Sequence, residues 1–366
     1  MIDMTRTDHT AHLAFSLLHR SGATQNAVRK SLRDYLRFVA VAPDASDTDL
    51  LKIQSDYLKR SPGEVFGDLV SYLAFLTREK HNSPNTIRLK LHYTRAWLLY
   101  NDIRLSPNDE KILRNLQPRT VTVTEEAELS RETIREIAEH ADLLTGTLIV
   151  MLTSSGMRIS ELLGVLPEEI VFGDPGEIHI PRERMKSGKA HTYYFSREAG
   201  EHLKRYLQVR DELCSLSRKR TNIRFRKVYE DRRVFPITYG TASGRFIRAA
   251  KRAGVHAWCE AGKRSKITYH SIRKWTGSTM KLHIPINLAN ELIGHDEGLS
   301  VHYRRYGKKQ MREAYRIVEP YLSIYTDMPE DTGAPPLEEA LRLLVRQQEE
   351  IMERLAQIET ILMSGA

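Results

Sequence analysis

Two cysteines, Cys214 and Cys259, are all that the 366 residues contain, and they form no C-x-x-C pair. A disulfide framework and a cysteine-based zinc site are therefore not expected, and both thiols read as ordinary buried or partly buried side chains. The 14 histidines are dispersed and make no H-E-x-x-H signature. Long apolar runs are missing too. A run such as LLTGTLIVML, residues 143–152, is too short to cross a bilayer, and no charged N-terminal region precedes a continuous apolar stretch. The expectation is a soluble, cytoplasmic protein with no membrane contact. A 41% hydrophobic content argues against general disorder, and the length accommodates two or more domains, each with its own core.

What is present in excess is positive charge. The chain carries a net +9, divided as +5 before residue 125, +10 from 125 to 326, and −6 in the remaining tail. That division assigns a polyanion-binding surface to the first two regions, while leaving RNA, DNA and acidic membranes open as partners. From Arg218 through Arg233 the density is highest, with Arg218, Lys219, Arg220, Arg224, Arg226, Lys227, Arg232 and Arg233 opposed by Glu230 and Asp231. Nonspecific contact with a duplex backbone is the economical reading of this interval, beside that of a solvated loop or an outward-facing helix.

Hydrophobic periodicity divides the chain. Residues 9–19 and 25–41 read as helices, with Leu32, Leu36 and Val39 on one face of the second and Lys30, Arg33 and Arg37 on another. Ser83 caps a further helix, Pro84 suits its first turn, and Ile87, Leu91, Thr94 and Leu98 form its apolar stripe, with Arg88, His92 and Arg95 on a different one. The periodicity is lost through QPRTVTVTEEAEL, residues 117–129, and Ser130 starts a new helix. The boundaries are a helical region at 1–118, a linker at 119–129 and a second domain at 130–326. Within the second domain Leu143–Leu152 is an apolar helix that Gly156 breaks. Ile178 and Ile180, then Thr192 through Phe195, switch to a period of two, which predicts a small hairpin carrying Lys186 to Lys189 at its turn. A polar stretch, 327–336, leads into 337–363, where Leu337, Leu341, Leu344, Gln348, Ile351, Leu355, Ile358 and Leu362 keep a seven-residue repeat. That pattern fits an association helix between protomers or one docked within its own chain.

The chemistry lies in a dispersed set. Arg158 stands in SSGMRISELLGV, Lys186 in RMKSGK, His270 and Arg273 in YHSIRKW, His295 in LIGHDEG and Tyr303 in VHYRRY. Together they supply cations, proton carriers and a phenol, the groups needed to break a phosphodiester by attack of a tyrosine. An isolated H-x-x-R says little. Here it follows Arg158 by 112 positions and precedes His295 by 22, counted from His270 and Arg273 respectively.

In order and wording these motifs resemble the tyrosine recombinase (phage integrase) family over roughly residues 80 to 325. The resemblance implies a mainly α fold with a small β-sheet or hairpin: a helical DNA-core-binding domain, then an α+β catalytic domain, the two closing around a duplex. It selects double-stranded DNA recombination sites as the partner, with Arg88 and Arg95 facing DNA from the first domain. It implies a clamp on the scissile phosphate by Arg158 and Arg273, with Glu161 supporting Arg158. Lys186 becomes the general acid, with Lys189 in reserve; His270 manages protons, and His295 donates to a nonbridging oxygen. Many family members place the nucleophile nine positions after this histidine, whereas Tyr303 stands eight away and Tyr306 eleven. Tyr303 is the nearer match, and its ending with Arg304 and Arg305 looks like that of archaeal-type integrases. No metal and no other cofactor is required, and assembly on DNA as a homo-oligomer, a tetrameric synapse, with accessory proteins is implied. Two other readings stay open: a topoisomerase with similar chemistry, and a noncatalytic DNA-binding protein.

Neutralising Arg218, Lys219, Arg220, Arg224, Arg226 and Lys227 together is expected to weaken duplex binding and flatten its salt dependence without creating a base preference. Titrations on matched duplexes at several salt concentrations check both, and an unchanged slope contradicts the assignment.

Overall fold

A computed structural model describes residues 12–19, 22–119, 127–185, 188–218, 231–259, 264–295 and 306–326. Lys186, Tyr303, the basic residues from Lys219 to Lys227, most of the linker at 119–129 and the heptad segment at 337–363 lie outside the described residues. The chain divides into two compact units, 1–124 and 125–366.

The first unit is helical: α1 (His12–Leu17), α2 (Gly22–Val39), α3 (Asp47–Tyr57), α4 (Pro62–Arg78), α5 (Pro84–Tyr100) and α6 (Pro107–Leu116). Four starts share one device, a serine whose hydroxyl accepts a backbone N–H of the first turn: Ser46, Ser61, Ser83 and Ser106. In the last three a proline follows, placing its missing N–H where no intrahelical bond is made. The expected α5 stripe of Ile87, Leu91, Thr94 and Leu98 is buried, and α2 contributes Leu32 and Leu36 beside Tyr35, Tyr72 and Trp97. Two cations of the other α2 face are paired within the chain. Arg33 pairs with Asp47, and Arg37 donates to the Ala45 carbonyl at 2.8 Å, so this face of α2 ties down the following turn.

The second unit comprises α7 (Arg131–Glu139), α8 (Leu143–Ser155), α9 (Ile159–Leu162), β1 (Ile170–Val171), β2 (Gly176–Ile180), β3 (His191–Phe195), α10 (Arg197–Arg218), α11 (Tyr239–Arg252), β4 (Trp258–Cys259), β5 (Arg264–Ser265), α12 (Tyr269–His283), α13 (Ile286–Leu292) and α14 (Lys308–Leu322). Mainly helical, with a small antiparallel sheet, it matches the expected class. The sheet runs β1-β2-β3, with Ile178 opposite Tyr193 and Ile180 opposite His191. Helix α8 is buried on all sides because no charged residue interrupts it, and α7, α10 and α12 pack around it. Its apolar side chains from Leu144 to Leu152 each contribute roughly 1.5–3 kcal/mol on burial.

Polar groups placed inside this core are paired. Ser154 at the end of α8 accepts the Ser196 N–H at 2.6 Å, and its hydroxyl meets the Tyr315 hydroxyl of α14 at 2.7 Å. Tyr315 also donates to the Ser154 carbonyl at 3.1 Å. After α14 the backbone is pinned: Arg131 and Arg135 donate to the carbonyls of Ser323 and Ile324 at 2.6 and 2.8 Å, and Glu198 accepts the N–H groups of Ile324 and Tyr325.

Tyr315→Phe keeps the ring and strands the polar end of α8. The expected cost is about 1–3 kcal/mol, read as a lower urea midpoint with an unchanged denaturant slope.

Candidate active site

Helix α8 ends at Gly156, whose φ of 61° lets the chain turn and enter α9 through Arg158. A Cβ at Gly156 would lie 2.7 Å from Ile293 Cγ2, so the turn needs both the left-handed backbone and the missing side chain. Arg158 is the N-cap of α9. Its backbone N–H donates to Glu161 Oε2 at 3.1 Å and its Nη1 to Glu161 Oε1 at 2.9 Å. Glu161 is nearly enclosed while the Arg158 side chain keeps one third of its surface open. The carboxylate thus holds the arginine by its base and leaves part of the guanidinium exposed.

Thr268 caps α12 by accepting the Ser271 N–H. The helix carries His270 and Arg273 three positions apart, but their environments differ. His270 is exposed, whereas Arg273 is buried at 6% exposure. Arg273 Nη1 donates to the Gly156 carbonyl at 2.5 Å. Its Nη2 is buried without a hydrogen-bond partner among the described residues. Burial, then the neighbouring Arg158 charge, pulls the Arg273 guanidinium below its usual range. Two cations held together with an unused buried donor make a site that an anion completes, because the anion offsets their repulsion and accepts the free N–H.

The hairpin delivers β3 against this pair. Tyr193 donates to Glu161 Oε2 at 2.8 Å. His191 packs edge-on against the Tyr193 ring at 4.4 Å between centroids, and its Nε2 lies 3.4 Å from the Leu292 carbonyl. Gly294, at φ 63°, brings the chain over both rings and into the exposed His295. Alternation sends Tyr194 the other way, against Tyr315. Sequence reading missed Tyr193 and His191 as site residues. The period of two placed them on one strand face, but nothing in the one-dimensional pattern said that this face meets the Arg158 turn.

The structure therefore brings Arg158, Glu161 and Arg273 together, and Gly294, which lies against Tyr193, leads into the exposed His295. Lys189 precedes β3 and is exposed. Tyr306 is partly buried, and its hydroxyl receives a hydrogen bond from Asn287 of α13. Arg95 is ion-paired with Glu110 and half-buried, while Arg88 is exposed on the same helix. Arg218 closes α10. The described residues contain no group of three His, Cys, Asp or Glu able to hold a metal ion, and none of the described helices is long and apolar enough to cross a membrane.

Residues 124–313 match the phage integrase family. No curated protein matches the chain. Among solved structures it is similar to XerA recombinase, at 18% identity over 78% of this chain and 97% of the other, with a TM-score of 0.36. It is likewise similar to a lambda integrase dimer bound to a COC' core site, at 14% identity over 76% and 79%, TM-score 0.47. XerH recombinase bound to a palindromic difH substrate gives 15% identity over 86% and 90%, TM-score 0.47.

His191 links the site to pH. Burial, the largest influence, and the two arginines lower its pKa below the usual histidine value, while Glu161 and the Leu292 carbonyl oppose that shift. The folded state thus binds this proton less readily than the unfolded state. Its stabilising contribution is full above the unfolded value near 6.5 and is lost as pH falls through and below that value. His202 and His283, also lowered by burial, act in the same direction. Urea midpoints are expected to fall between about pH 7.5 and about pH 5, and to fall less steeply in His191→Gln.

Proposed function

Since the chain belongs to the phage integrase family, whose general activity is tyrosine-recombinase-type DNA recombination, we propose that it integrates or excises double-stranded DNA at specific sites through a 3'-phosphotyrosyl intermediate. The observation that carries this reading is the buried Nη2 of Arg273, without a hydrogen-bond partner among the described residues, beside the Glu161-held Arg158. Two guanidinium groups suit two nonbridging oxygens of one phosphate, and their charge counts most as negative charge grows there during attack.

In this mechanism the Tyr303 phenol attacks phosphorus. A free tyrosine near pKa 10 costs about 4 kcal/mol to ionise at pH 7, and the two arginines offset part of that. His270, exposed at the start of α12, manages the phenolic proton, and His295 donates to a nonbridging oxygen. Lys186, from the segment between β2 and β3, protonates the departing 5' oxygen. The phosphodiester is retained as a phosphotyrosyl ester, so attack by a 5' hydroxyl from another strand restores it without ATP. Neither a metal nor another cofactor enters these steps.

Exchange between two duplexes requires cutting four strands, which argues for four protomers in a synapse, alongside accessory proteins that set direction. The heptad segment at 337–363 is the proposed association helix. The first domain, 1–118, and the catalytic domain, 130–326, are joined by the linker at 119–129. Arg88 and the basic interval of Arg218, Lys219, Arg220, Arg224, Arg226 and Lys227 supply backbone contacts. Arg95, because of its pairing with Glu110, serves to shape the α5–α6 frame. The Tyr303-Arg304-Arg305 ending supports an archaeal-type integrase as the subtype.

Covalent DNA adducts captured genome-wide identify the cut sites, and nicked duplexes built on them trap the intermediate. Tyr303→Phe is expected to abolish the adduct and to leave noncovalent affinity within about 2-fold, because one hydroxyl is lost from a large cationic surface. Arg273→Ala is expected to lower the cleavage rate by about 10²–10³-fold, the usual loss for a donor to developing negative charge. Attachment at Tyr306 reassigns the nucleophile; cleavage without crossed-strand products points to a topoisomerase; binding without any adduct points to a noncatalytic DNA-binding protein.

A further inference from the structure

Tyr193 occupies an unusual position for a tyrosine outside the reacting set. It is fully buried, and its hydroxyl donates to Glu161 Oε2 at 2.8 Å while the other oxygen of that carboxylate holds Arg158 Nη1 at 2.9 Å. On its other side, the backbone at Gly294 approaches so closely that a Cβ there would stand 2.7 Å from the Tyr193 hydroxyl oxygen and 3.3 Å from His191 Cδ2. Gly294 immediately precedes His295. One phenol therefore abuts the support of Arg158 and the turn that presents His295, and it does so from β3, the second strand of the hairpin.

Its chemistry suits support. Burial, then the Glu161 charge, raises the Tyr193 pKa, so the hydroxyl stays protonated and acts as a donor. The Glu161 carboxylate, almost closed to solvent, gains three donors: the Arg158 backbone N–H, Arg158 Nη1 and Tyr193. Without the phenol, one oxygen of that anion loses its side-chain donor, and the carboxylate is free to turn with the arginine it carries.

We propose that Tyr193 is a positioning residue that orients Arg158 through Glu161 and fits under the Gly294 turn, coupling the hairpin strand to two separate phosphate-binding elements. The inference rests on the recombinase reading above for its kinetic consequence and on local geometry alone for the link to Arg158. Support by a buried hydrogen-bond partner has a recognisable scale: its loss slows activity by on the order of 10-fold without removing the group that touches the substrate.

Two measurements on the full chain test it. The first is DNA-free NMR of 15N-labelled arginine side chains, with the Arg158 signal assigned by Arg158→Lys. Tyr193→Phe is expected to shift the Arg158 signal and leave those of Arg131 and Arg135 in place; an unmoved Arg158 signal in a folded variant overturns the link. The second is single-turnover adduct formation on nicked duplexes built from the captured sites. Tyr193→Phe is expected to slow it on the order of 10-fold with the noncovalent Kd within about 2-fold. Adding Glu161→Gln to Tyr193→Phe is expected to be no slower than Glu161→Gln alone, because both act along one path. Independent, multiplying losses, or a loss confined to Kd, reject a positioning role. Should Tyr193→Phe not fold, Glu161→Gln keeps the packing and is expected to shift the Tyr193 ring signals together with Arg158; unshifted Tyr193 signals overturn the proposal. A wild-type chain that forms no adduct sinks the recombinase reading, while the NMR result still decides the link.

Discussion

The hydrogen bond from Arg273 to the Gly156 carbonyl is the constraint on which the rest of the site depends. It joins the middle of the H-x-x-R helix to the turn that ends α8, two segments 117 residues apart in the chain. Burying a guanidinium beside another is unfavourable by desolvation and by charge. Only a framework stable without that pair keeps it in place, and the framework is α8, apolar all round and wrapped by α7, α10 and α12. The destabilised cation and the core that contains it are thus two parts of one arrangement.

From that bond outward, supports reach Arg158 and the turn before His295 by short routes. Glu161 ties Arg158 to its own helix start, Tyr193 ties Glu161 to the sheet, and Gly294 lays the His295 turn on the same strand. At the same end of α8, Ser154 fastens α14 through Tyr315, and the Glu198 carboxylate with Arg131 and Arg135 holds the backbone that leaves α14. Segments that enter and leave the chemistry are therefore secured at their bases. In the proposed mechanism such fixed supports would restrict the geometry available to the phosphate, which is where electrostatic catalysis gains its advantage over water.

Much of this was legible in the chain itself. The Ser83-Pro84 start of α5 is a capping chemistry that acts over three residues, and the burial of Ile87, Leu91, Thr94 and Leu98 follows from a 3.6-residue period. The hairpin was visible because Ile178, Ile180 and the Thr192–Phe195 run change that period to two. Arg33, Arg37 and Arg95 were legible as cations but not as partners. Asp47, the Ala45 carbonyl and Glu110 lie 8 to 15 positions away from them, beyond the reach of one helical turn, and charge patterning alone does not separate a cation committed to its own chain from one facing a polyanion.

By itself the sequence determined the elements and the inventory: which segments coil, where glycines permit a break, and which residues carry charge, protons and a phenol. Those are local properties, set by side-chain chemistry and by spacing along the backbone. Tertiary structure alone decided that His270 is exposed while Arg273, three residues on, is buried, and that Tyr193 rather than Tyr194 meets Glu161. These outcomes depend on which face of α12 lies against Gly156 and which face of β3 lies against α9. Such choices are made by the packing of distant segments around α8, and no interaction within a single helix or strand contains them.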